Sequence, residues 1–169
     1  MPVPSSLPAE GPADRPPTGP GAPPRWLDAG EQRTWRAFLE ATRIFFEQIE
    51  GQLQRDAAMP HGYYEILVRL SEAPNRSLRM SELADRLLSS RSRLSHAVSR
   101  LENAGWVRRE SAAGDRRGWL AVLTDDGFAA LAAAAPGHVE AVRTHLFDKL
   151  TPDQVRALRE ISEAIARER

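Results

Sequence analysis

Between Ser81 and Leu123 the sequence changes periodicity twice within 43 residues, and few folds accept that succession. From Ser81 to Leu88, Leu83, Ala84 and Leu87 share one face while Glu82, Asp85 and Arg86 take the other, which is helical spacing. Ser89 and Ser90 stop this helix and offer an N-cap for a second one. The second runs from Arg91 to about Asn103, with Leu94, Val98 and Leu101 turned inward, and Ala104-Gly105 ends it. Two short β-prone runs follow, Trp106–Glu110 and Gly118–Leu123, joined by Ser111–Arg117, and read as a hairpin. Short helix, turn, helix, hairpin is the order of a winged helix-turn-helix.

The flanks are helical. From Glu31, the residues Trp35, Phe38, Leu39, Thr42, Phe46, Ile49 and Leu53 fall at steps of three and four, and Phe45 widens the stripe. Met59-Pro60-His61-Gly62 breaks this helix, and a shorter one carrying Tyr63, Ile66, Leu67 and Leu70 ends before Ala73-Pro74-Asn75. After the hairpin, Thr124 caps a long helix reaching Leu150, which Pro136-Gly137 should kink or split. Thr151-Pro152-Asp153-Gln154 then opens a last helix with Val155, Leu158, Ile161 and Ile165. The expected fold is mostly α with a small β-hairpin wing, a winged helix-turn-helix joined to a helical dimerisation region. Its expected parts are a Pro-rich disordered tail over 1–30, a dimerisation helix over 31–57, a winged domain over 61–123 and dimerisation helices over 124–169. Nine of the thirteen prolines lie in the first 24 residues, so the tail reads as a solvated leader, with a binding role left open.

Composition removes whole classes of function. With 41% apolar and 27% charged residues the chain can build a core. Zero cysteines exclude thiolate catalysis, disulfides, Cys-ligated metals and thiol redox sensing. No Gly-x-Ser-x-Gly, P-loop, His-Glu-x-x-His or dinucleotide motif is present, so no enzyme is expected. No apolar run is long enough for a membrane span, and the expected location is cytoplasmic.

Net charge is zero, yet it is unevenly placed. Residues 76–118 carry ten basic and five acidic side chains, whereas both flanks are net acidic. One basic block between acidic ones favours a polyanionic partner. The outer face of the second short helix shows Arg91, Ser92, Arg93, Ser95, His96, Ser99 and Arg100, without an acid until Glu102. Small polar side chains let a backbone approach base edges in the major groove, while arginine and histidine donate to guanine or phosphate. An ordinary solvent-facing helix would mix acids with bases. At the hairpin tip, Asp115, Arg116 and Arg117 lie between Gly114 and Gly118, where an arginine oriented by an acid can enter a minor groove. A soluble charged turn is the plainer alternative for the tip alone. Trp119 is assigned to hairpin packing in preference to a DNA contact.

The run Ser90–Val107, followed by Asp115-Arg116-Arg117-Gly118 and Leu123-Thr124-Asp125-Asp126-Gly127, resembles the MarR family of bacterial transcriptional regulators. That resemblance implies an obligate homodimer bound to a palindromic operator on double-stranded DNA, as a repressor released by a small effector. It places Arg117 in the minor groove with Asp115 orienting it, and makes Arg93, Ser95 and His96 the leading base contacts. The alternative is a winged-helix module for protein interaction that does not bind DNA.

Relatives that sense small aromatic or phenolic acids bind them between the dimer helices and the winged domain. Phe38, Arg43, Phe46, His61, Tyr64 and His138 are the candidate effector contacts here, with His61 or Arg43 able to hold a carboxylate; dimer core is the competing reading for the rings. His138 and His145 share a face but lie two turns apart, too far for joint metal ligation. No metal and no cofactor are expected.

Overall fold

The computed structural model describes residues 24–112 and 118–167; the Pro-rich tail and the hairpin tip, including Asp115, Arg116 and Arg117, lie outside the described residues. The elements are α1 (Ala29–Ala57), α2 (His61–Ser71), β1 (Ser77–Arg79), α3 (Met80–Arg86), α4 (Arg91–Asn103), β2 (Val107–Ser111), β3 (Trp119–Leu123), α5 (Asp125–His145) and α6 (Pro152–Ala166). Packing divides the chain into two units, Met1–Phe38 and Leu39–Arg169, with the boundary inside α1.

In the first unit α1 starts two residues before the expected Glu31. Asp28 and Glu31 explain this, because each carboxylate accepts from the other's backbone N–H at 2.8 Å, a reciprocal cap. Trp35 stacks on Phe38 with ring centroids 6.3 Å apart.

The second unit holds the core. Leu53 of α1, Leu67 and Leu70 of α2, Leu83 of α3, Leu94, Val98 and Leu101 of α4 and Val107 of β2 are all fully enclosed. Three strands pair antiparallel in the order β1-β3-β2, with Val107 opposite Leu123, Ser111 opposite Trp119 and Ser77 opposite Val122. The third strand, β1, was not expected from a three-residue segment. Trp106, expected in the hairpin, stays outside it: its N–H donates to the Leu101 carbonyl and its own carbonyl accepts from Thr124.

The C-terminal helices require two corrections. Pro136-Gly137 does not split α5, which runs through both to His145. A proline removes its own bond to the carbonyl four residues back and crowds that carbonyl. The neighbouring turns keep theirs, and Gly137 packs so closely that a Cβ there would lie 2.9 Å from the Gln52 amide of α1. The helix also stops short of Leu150. Leu146 leaves helical geometry at φ −128°, ψ −71°, a single 3-10 turn covers Phe147–Lys149, and Thr151 and Gln154 cap α6 reciprocally.

Candidate nucleic-acid interface

The orientation of α4 follows from its two faces. Ser90 caps it, its hydroxyl accepting from the Arg93 N–H at 3.2 Å. Leu94, Val98 and Leu101 are buried, which fixes Arg91, Ser92, Arg93, Ser95, His96 and Arg100 as exposed and Ser99 as half-buried. The turn before α4 contains Leu88 in left-handed geometry at φ 51°, a conformation that costs a β-substituted residue on the order of 1 kcal/mol.

Charge is distributed unevenly among the arginines. Arg43, Arg69, Arg76, Arg86, Arg108, Arg109 and Arg143 each pair with a carboxylate of the chain. Arg91, Arg93 and Arg100 of α4 have no ion-pair partner among the described residues. The outward face of α4 thus keeps three unpaired positive charges close together, whereas nine other described arginines each pair with a carboxylate.

The sequence did not single out Arg109 and Glu102, which the fold places together at α4. Arg109, on β2, reaches back to α4: one guanidinium nitrogen donates to the Ser95 carbonyl at 2.8 Å and the Ser99 hydroxyl at 3.1 Å. Its other terminal nitrogen pairs with Glu102 at 3.0 Å, and its backbone N–H donates to the same carboxylate. Ser95 and Ser99 are therefore already engaged from the strand side. The signal in the sequence was Glu102, the single acid of α4, seven residues before Arg109.

A concavity of about 840 Å³ opens beside this cluster, lined by Arg79, Ser81, Arg91, Ser95 and Trp119. Trp119 is 52% exposed on its wall, so the expectation that it packs within the hairpin is not met. Its backbone lies opposite Ser111 at the tip end of the β2–β3 ladder.

The candidate effector residues are only partly brought together. Phe46, His61, His138 and Tyr64 form a chain of rings, with centroids 5.8 Å apart from Phe46 to His61, 5.8 Å from His61 to His138 and 4.4 Å from His138 to Tyr64. Arg43 points elsewhere and pairs with Glu47 at 3.5 Å, and Phe38 is the residue stacked on Trp35. Burial, followed by the nearby His61, holds His138 below its ordinary 6.5, and burial raises the Tyr64 hydroxyl above 10.0. The His138 Nδ1 is buried without a hydrogen-bond partner. Among the described residues no group of three or more His, Asp or Glu is placed to hold a metal, and no helix is long and apolar enough to cross a membrane.

Comparison with known proteins agrees with this geometry. A family model described as MarR family matches residues 59–118. Sco3205 from Streptomyces coelicolor, a MarR family transcriptional regulator solved in complex with DNA, is 55% identical over 85% of this chain and 90% of its own, with a TM-score of 0.82. AbsC, a MarR family transcriptional regulator from the same organism, is 43% identical over 86% of this chain and 97% of its own, with a TM-score of 0.81. The HTH-type transcriptional regulator PecS of Dickeya dadantii is 39% identical over 80 residues, and the aligned stretch spans about half of its length, 48%. Extended identity over nearly the whole of Sco3205 and AbsC, on a helical fold with a three-stranded winged sheet, makes this chain a member of the MarR family, a family of DNA-binding transcriptional regulators and not of enzymes.

Proposed function

We propose that the chain binds an inverted-repeat operator as a homodimer, represses transcription there, and is released by a small aromatic or phenolic ligand. The winged domain over 61–123 supplies the DNA contacts, and the helices over 31–57 and 124–169 supply the dimer contacts. The observation that carries the reading is the set of arginines on α4, Arg91, Arg93 and Arg100, left without carboxylate partners among the described residues on a face otherwise built from serine and histidine. In this reading Arg93 and His96 address base edges, Arg91 and Arg100 address phosphates, and Arg117 enters the minor groove with Asp115 beside it. The DNA in the Sco3205 complex supports the choice of partner. The effector would lie against the Phe46–His61–His138–Tyr64 rings, where the unpartnered His138 nitrogen offers a polar contact inside an aromatic wall.

A salt series on random-sequence duplex tests the reading. Affinity should fall steeply and linearly on logarithmic axes, because neutralised phosphates release counterions. Replacing Arg100 by alanine should make that slope shallower by about one. Absence of duplex binding at low salt would favour the protein-interaction alternative.

A further inference from the structure

We infer that Arg109 is a positioning residue of the DNA-reading helix, which it holds in register against the wing without touching DNA itself. The inference rests on the proposed DNA-binding role of α4. Arg109 is one of ten basic residues in the basic block, and composition alone would count it toward phosphate. Its surroundings say otherwise. The side chain is only 24% exposed, and its guanidinium contacts the Ser95 carbonyl, the Ser95 and Ser99 hydroxyls and the Glu102 carboxylate. Glu102, 28% exposed, is itself used twice, by the Arg109 side chain and by its backbone N–H at 3.0 Å. The planar fork thus spans two turns of α4 from one residue of β2, and Glu102 cancels its charge locally.

Two consequences follow for recognition. The rotation of α4 about its axis is tied to the strand at Ser95, Ser99 and Glu102, which leaves Arg91, Ser92, Arg93, His96 and Arg100 facing outward. Ser99, whose hydroxyl accepts from Arg109, belongs to the clamp and leaves the set of base-contacting candidates. Ser95 also contributes its backbone carbonyl to the clamp, a group that no side-chain substitution removes.

The test uses the full chain and a duplex selected by the unmodified protein from a random library, measured across a salt series beside a random-sequence duplex. Arg109→Gln should lower affinity for the selected duplex by about tenfold or more, the scale of one lost specific contact, while the logarithmic salt slope stays that of the parent. A phosphate-contacting arginine would instead make the slope shallower by about one, and that result, or unchanged affinity, overturns the inference. The double variant Glu102→Gln with Arg109→Gln leaves no unpaired charge and should show the same loss at the same slope. Ser99→Ala, which leaves the core untouched, should select the same DNA sequence as the parent; an altered sequence preference would place Ser99 on the DNA and overturn the clamp. If the parent binds no duplex at all, the DNA-binding reading fails first, and that outcome is distinct from a parent that binds while the Arg109 variant changes slope.

Discussion

Single atoms decide several features of this molecule. Gly127, in the first turn of α5, has no room for a side chain: an added Cβ would lie 2.0 Å from the Trp106 carbonyl oxygen. That oxygen belongs to backbone and also accepts from Thr124, so it cannot swing aside. Gly127→Ala should therefore destabilise the fold by about 1–3 kcal/mol, read as a lowered midpoint in urea unfolding. His138 carries a second prediction, with a definite sign. Its folded pKa is depressed, so the unfolded chain binds the proton more readily. Its contribution to stability is present above the ordinary 6.5 and is lost as pH falls below that value toward the lowered one. Urea unfolding between pH 7 and pH 5 should show stability declining with acid, and His138→Leu should flatten that part of the profile. An unchanged profile in the variant would mean the imidazole is not buried neutral.

Elements form here where cap and periodicity agree, and the sequence was most readable at those places. Ser90, Thr124 and Thr151 each accept a backbone N–H at a helix start; a short hydroxyl residue before a run with helical spacing marks Thr124 and Thr151 in the sequence, and narrows the cap of α4 to Ser89 or Ser90. Ser90 matters most, since it fixes where α4 begins. Ser90→Ala should cost about 1 kcal/mol in thermal or urea unfolding and should also weaken duplex binding, because the first turn of α4 carries Arg91, Ser92 and Arg93. What the sequence concealed was decided by contacts distant along the chain. The strand β1 is three residues long and exists because Ser77 to Arg79 find an edge on β3 at Val122 to Leu120. Pro136 looks like a break in any local reading, yet α5 continues through it, with Gly137 close against Gln52 of α1. The polar face of α4 was visible as a pattern of residue types. Which of its serines are free was not, because that depends on where Arg109 is delivered by a strand fourteen residues beyond Ser95.

For the whole molecule, the outstanding feature is apolar surface that the described residues do not cover. Helix α6 has no buried residue along Pro152–Ala166, and Ile161 and Ile165 stand 57% and 69% exposed. On α1, Trp35, Phe38, Leu39 and Phe46 are each about half exposed. A fifteen-residue helix is marginal alone in water, and its persistence requires a surface to bury its apolar face. In the proposed homodimer a second copy would supply that surface by symmetry and would also double α4, so that two copies of the helix would meet half-sites about one DNA turn, ~34–36 Å, apart. The two effects can be separated. Replacing Ile161 and Ile165 by aspartate puts charge on the uncovered face of α6 while leaving the winged core untouched. Sedimentation should then shift from a species of twice the chain mass to one of the chain mass. Affinity for an inverted-repeat duplex should fall by about 100-fold or more, because the second half-site loses its tethered partner. Affinity for a duplex carrying one half-site should change little, since each subunit keeps its own α4. If the parent already sediments at the mass of one chain, the apolar faces are covered by something other than a second copy, and the inverted repeat loses its physical basis.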